Sequence, residues 1–253
     1  AAAAKTGSFL AAIVAALVGA SLYGLVIELL VIRHLYRREH LDQVLATLGL
    51  AIFTDELVTI LFGRSPPFMS TPPILAGAVP VLPGLAYPVM RLALIGAGAL
   101  VAVALWWLIS RTRVGMLVRA GADDAEMVDA LGVNIQRLFT LVFTLGALLC
   151  GFAGVMAAPL LAVEIGMGER ILITTFVVIV VGGVGSVRGA LVGSLLIGMT
   201  DALGRAFIPK LTALLLPPQL SDPASSSLVS ASIYILMAIV LLFKPRGLVP
   251  ARH

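Results

Sequence analysis

Leu138-Phe-Thr-Leu-Val-Phe-Thr-Leu-Gly-Ala-Leu-Leu-Cys-Gly-Phe-Ala-Gly-Val-Met-Ala-Ala158 contains no charged residue. A helix crossing a hydrocarbon core of about 30 Å needs roughly 20 consecutive apolar residues, and this run supplies them. Six more runs of similar character lie near 9–32, 44–62, 89–109, 171–187, 190–208 and 228–243. They are continuous, not alternating segments of about ten residues, so they read as helices and not barrel strands. The 253 residues are 60% hydrophobic and 12% charged, where soluble domains are about a quarter charged. The fold class expected is all-α, a polytopic transmembrane helix bundle of about seven spans, with residues 1–253 forming one transmembrane domain.

Basic residues set the orientation. The segments near 33–43, 110–137, 182–188 and 244–253 hold Arg33, Arg37, Arg38, Arg111, Arg113, Arg119, Arg137, Arg188, Lys244, Arg246 and Arg252. The opposite side holds Lys5, Arg64, Arg91, Arg170, Arg205 and Lys210. The richer side is cytoplasmic by the positive-inside rule. The same rule accounts for the net charge of +4 without a nucleic-acid partner.

Loops and packing faces are also legible. Residues 63–88 contain seven prolines and read as a stiff, irregular outer segment. Residues 209–227, with Pro209, Pro217, Pro218 and Pro223, read the same way. Gly146, Cys150 and Gly154 fall at i, i+4 and i+8, with Ala147 and Gly151 one position along. Ala190, Ser194, Gly198 and Ala202 make a second stripe beside Gly189 and Gly193. Small residues let helix backbones approach closely where lipid gives no hydrophobic drive. Such stripes can also border a solute path.

Several chemistries are excluded or weak. No Gly-x-x-x-x-Gly-Lys-Ser/Thr occurs, so the chain has no P-loop of its own. Gly183-Val-Gly185-Ser-Val-Arg188 resembles a dinucleotide fingerprint, but it ends in Arg and follows an apolar span. Cys150 is the single cysteine, and His34, His40 and His253 are scattered, so no disulfide framework or metal set is expected. No catalytic residues are assigned, and the chain is not expected to be an enzyme.

Charges inside spans are costly and are functional candidates. Asp55 and Glu56 lie within the second span as candidates for the translocation path. Glu28 lies near the inner end of the first span, where Arg33 is close enough in sequence to pair with it or to snorkel. Asp201 and Arg205 form an i, i+4 pair near the outer end of the sixth. Gly182, Gly183, Gly185, Ser186, Gly189 and Gly193 mark a glycine-rich cytoplasmic turn. It is a candidate hinge or translocation-path element, since glycine lets the backbone turn sharply and approach another helix.

The segment Arg119 to Asn134 is charged and amphipathic between two apolar runs. A short helix is expected, with Asp123 or Asp124 as N-cap, Met127, Ala130 and Leu131 on one face, and Gly132 as its stop. About ten residues are marginal as a helix alone in water. Membrane-surface helices carry a basic polar face, whereas this one is acidic. Docking on a soluble protein is therefore expected.

Four stretches together resemble permeases of the branched-chain amino acid ABC importers. They are Arg119-Ala120, Asp124 and Ala130-Leu-Gly-Val-Asn134; Gly182-Gly-Val-Gly-Ser-Val-x-Gly-Ala-x-Val-Gly193; Thr47-Leu-Gly-Leu; and Lys244-Pro-Arg-Gly-Leu248. The resemblance spans about 44 to 248. Two departures stand out, Arg188 where proline is frequent and Asp55 where an amide is frequent.

The resemblance implies a permease domain with a cytoplasmic coupling segment at about 111–137. The coupling residues carried over are Arg119, Ala120, Asp123, Asp124, Met127, Ala130, Leu131, Gly132 and Asn134. The implied partners are two cytoplasmic ABC ATPase subunits, a second permease subunit and a periplasmic substrate-binding protein. No cofactor is expected on this chain, because ATP would be bound by the ATPases. The family begins with one or two further spans carrying a Gly-x-x-Asn-Phe-Ala-x-Gly-like stretch, and these N-terminal spans are expected to be missing from this sequence. The implied location is the bacterial inner membrane, and the solute a branched-chain or related amino acid, an amide or urea. A self-sufficient secondary transporter or channel for a small polar solute is the alternative, with Asp55 and Glu56 as its only relay candidates.

Overall fold

The computed structural model describes residues 9–36, 38, 40–63, 75, 77–82, 85–160, 166–215 and 217–249. They form two compact units, residues 1–165 and 166–253.

In the first unit, α1 (Phe9–Ile27) runs through a π-helical turn (Glu28–Ile32) into a last α-turn (Arg33–Leu35). Next come α2 (His40–Phe62), the strands β1 (Ala78–Leu82) and β2 (Leu85–Pro88), and α3 (Val89–Arg111). Two short helices follow, α4 (Arg113–Asp123) and α5 (Ala125–Ala130), and then the long α6 (Ile135–Ala157). The main helix contact is α1 against α6. A methyl group on Gly151 would lie 2.9 Å from the Ala16 carbonyl oxygen, and one on Gly24 would overlap Ala147. The packed seam is thus Ala147 and Gly151. Gly146 and Gly154 have open space before them, and Cys150 is exposed.

The expected pairing of Glu28 with Arg33 is not formed. Arg33 donates to Gln136 Oε1 on α6 at 2.7 Å, while Glu28 is fully buried and neither carboxyl oxygen has a hydrogen-bond partner among the described residues. The π-turn that begins at Glu28 changes the helical register there, a device common at unusual helix positions. Tyr36 packs its ring against Phe139 at 5.1 Å. Burial, and then the nearby Glu28 charge, push its phenol above the usual range.

In the second unit, α7 (Met167–Gly182), α8 (Val187–Leu215) and α9 (Pro218–Phe243) pack around Val177, Val181 and Ile197. The segment 209–227 is not the irregular loop expected. Helix α8 continues through Pro209 to Leu215, and α9 starts at Pro218. Pro209 forfeits one backbone hydrogen bond, and the buried Thr212 hydroxyl donates to the carbonyls of Ile208 and Pro209. Pro218 stands at the first helical position, where a missing N–H costs nothing.

Among the described residues six helices are long and apolar enough to cross a membrane. The polytopic all-helical expectation holds, with one difference in the count. The run expected to span at 171–187 forms α7, whose 16 residues reach about 24 Å at 1.5 Å per residue. The described part of the 63–88 segment contains an antiparallel hairpin, pairing Ala78 with Pro88 and Val79 with Tyr87.

Candidate functional site

The segment from Thr112 to Asn134 is built from local caps. Thr112 begins α4, its hydroxyl oxygen accepting from the Gly115 amide at 3.2 Å. Asp124, not Asp123, caps α5: its Oδ1 accepts from the Met127 amide at 2.9 Å, and Asp123 ends the preceding helix. Gly132, at φ +86°, closes α5. Its amide bonds the Asp129 carbonyl at 2.9 Å and the Val133 amide bonds the Val128 carbonyl at 3.3 Å. That pairing is a Schellman closure, which glycine permits at positive φ. Asn134 then caps α6, accepting from the Arg137 amide at 3.0 Å.

Three consecutive caps fix the course of the chain from Thr112 to α6. Val128 faces inward and is buried, whereas Met127 and Leu131 are 64% and 79% exposed. Ala120 and Ala130 are exposed beside them. Arg119 turns back, its guanidinium donating to the Ile109 carbonyl at the end of α3. The helix α4 was not foreseen; its signal was Thr112 followed three residues later by Gly115.

The glycine-rich turn of the second unit is closely packed. Methyl groups on Gly182 and Gly189 would each overlap the other's carbonyl, and one on Gly193 would lie 2.6 Å from the Val178 carbonyl oxygen. Gly183 and Gly185 adopt φ +109° and +80°. Ser186 caps α8, accepting from the Gly189 amide at 3.0 Å. The Lys244–Leu248 motif docks onto this turn: the amides of Leu248 and Val249 donate to Val181 and Gly182 at 2.9 and 3.0 Å.

Asp55 and Glu56 are on α2, whose span has no buried residue, and they line neither of the two cavities described here. Asp55 is half-buried, Glu56 exposed. A cavity of about 440 Å³ with mixed polar and apolar walls lies instead among α7, α8 and α9. Ser194 and Gly198 of the second small-residue stripe line it, with Arg170, Thr174, Asp201, Arg205, Ser230 and Tyr234. Asp201 and Arg205 make the expected pair at 2.9 Å. Thr174, Ser230 and Tyr234 were missed because an isolated hydroxyl in an apolar run carries no spacing signal.

A family model described as "Branched-chain amino acid transport system / permease component" matches residues 1–243. The chain is 28% identical to the high-affinity branched-chain amino acid transport system permease protein BraD of Pseudomonas aeruginosa, covering 94% of this chain and 74% of that protein. It is 28% identical to the corresponding permease protein LivH of Escherichia coli K12, over 94% of this chain and 73% of LivH. The fructose import permease protein FrcC of Rhizobium meliloti matches at 32% identity over 38% of this chain and 28% of its own length. No solved structure matches. With six apolar helices of spanning length among its described residues and a family match over nearly its whole length, this multi-pass membrane protein belongs to the branched-chain amino acid transport system permease components.

Proposed function

We propose that the chain is the translocation subunit of an ATP-driven importer in the bacterial inner membrane. It works with two cytoplasmic ATPases, a second permease subunit and a periplasmic substrate-binding protein, and it carries branched-chain or related amino acids, amides or urea. The observation behind this reading is the exposed pair Met127, on α5, and Leu131, at its C-terminal end; α5 is a six-residue helix capped at both ends. Two large apolar side chains on a rigid cytoplasmic projection are suited to a protein partner. Asp124, Gly132 and Asn134 hold that projection, and Arg119 ties it to the end of α3. ATPase closure would push α5 and move the long α6 as a lever, in a rigid-body transition.

In this reading the 182–193 turn, clamped by Leu248 and Val249, carries motion as a firm corner between α7 and α8. The cavity at Ser194 and Gly198 borders the solute path. The test is a Leu131→Cys variant of the assembled importer. Cross-linking of that cysteine to an ATPase subunit is the expected result. If no ATPase is captured, and Leu131→Asp leaves uptake and ATP hydrolysis normal, the coupling role is wrong.

A further inference from the structure

Between α1 and α6 lies an open groove of about 570 Å³ that no part of the coupling or translocation reading uses. Its lining residues include Arg33 and Arg137, which come from different helices. Both belong to the basic-rich segments that orientation places at the cytoplasmic face. Among the described residues neither makes an ion pair. Among those residues Arg33 makes one hydrogen bond, to the neutral Gln136, which leaves most of its five donors unspent. Glu28, the nearest acid in sequence, is fully buried and does not line the groove.

Away from the arginines the walls are mainly leucine, with Leu25 and Leu29 on one helix and Leu141, Leu145 and Leu148 on the other, interrupted only by the hydroxyls of Thr140 and Thr144. From Arg137 to Leu148 the groove follows about 16 Å of helix, at 1.5 Å per residue. A cationic mouth at the membrane surface followed by a leucine wall toward the membrane centre matches one ligand shape. That ligand has a compact anion joined to a hydrocarbon chain. Guanidinium pairs bind phosphate with bidentate geometry, and basic pockets between helices on the cytoplasmic side suit anionic headgroups. A free polar solute would leave the leucines uncovered.

We propose that this groove is a binding site for an anionic phospholipid of the cytoplasmic leaflet, with its phosphate between Arg33 and Arg137 and an acyl chain along Leu29 and Leu145. The site is independent of which solute is carried and of whether α5 docks an ATPase.

The test is native mass spectrometry of the assembled, detergent-purified importer, supplied with equal phosphatidylglycerol and phosphatidylethanolamine. Wild type should retain phosphatidylglycerol preferentially. The double variant Arg33→Gln, Arg137→Gln should retain about tenfold less, and the double lysine variant should recover part of it. Leu145→Trp, which fills the groove and leaves both arginines in place, should show the same loss, so misfolding of one variant does not decide the matter. A photo-cross-linker at Leu29 should capture lipid. Retention without preference for the anionic lipid, or unchanged in Leu145→Trp, overturns the proposal. So does displacement by millimolar inorganic phosphate alone, which marks a free-anion site, or capture of another polypeptide from Leu29, which marks a protein interface.

Discussion

The Leu248 amide donates to the Val181 carbonyl at 2.9 Å. That bond joins the C-terminal Lys-Pro-Arg-Gly-Leu motif to the glycine-rich turn. The last carbonyls of α7 lack intrahelical partners, as at any helix end, and the returning chain supplies donors at Leu248 and Val249. Gly247 permits the approach: at φ +84° it lies against the Gly183 backbone, with no room for a methyl group.

Gly247→Ala should therefore destabilise the protein by about 2–3 kcal/mol, since it adds a backbone clash to the cost of a side chain at positive φ. Gly63→Ala, also at positive φ (+80°) but facing open space, should cost only about 1 kcal/mol. Thermal unfolding in detergent measures both; equal shifts would show that the clash with Gly183 is relieved by adjustment.

Met127→Asp with Leu131→Asp should leave the melting midpoint nearly unchanged, because exposed substitutions usually stay within about 0.5 kcal/mol. Uptake and transport-coupled ATP hydrolysis should fall at least tenfold. Asp124→Ala should act differently, loosening α5 by about 1 kcal/mol through loss of its cap, with a smaller fall in uptake.

Gly198→Leu should block solute movement while the fold survives. Gly198 lines the cavity and a Cβ there meets nothing within 4 Å, so the added side chain starts into open space. Uptake in proteoliposomes is expected to drop at least tenfold with basal ATP hydrolysis preserved; retained uptake would place the solute path elsewhere.

Glu28→Met should raise stability by about 1–3 kcal/mol, as replacing a buried charged group with an apolar one of similar size often does. Both Glu28 oxygens lack hydrogen-bond partners among the described residues, and such burial is costly. A lower melting midpoint in the assembled importer would instead reveal a partner group supplied by another segment or subunit.

Much of this was legible because it depends on neighbours in the chain. Apolar runs identify spans from length alone, although α7 shows that a run and a spanning helix differ once Gly183 ends the helix early. The cap at Asp124 and the stop at Gly132 follow from side chains and amides two or three residues apart, whereas the cap that Asn134 makes on α6 was not foreseen. Even there, the choice of Asp124 over Asp123 waited on the backbone, since both carry the same carboxylate and only one sits in the extended conformation a cap requires.

The amino-acid sequence was enough for a multi-span helical membrane protein and for a short amphipathic helix capped at Asp124 and stopped at Gly132, because hydropathy and capping are local properties. Tertiary structure alone decided that Ala147 and Gly151, not Gly146 and Gly154, form the seam with α1. It also decided that α8 runs on through Pro209, that Arg33 turns to Gln136 and leaves Glu28 without a hydrogen-bond partner among the described residues, and that Leu248 returns to Val181. Each of those outcomes depends on how a side chain or a backbone group meets a particular three-dimensional environment, often a residue far away in the chain. The spacing of residues along one helix does not specify that environment.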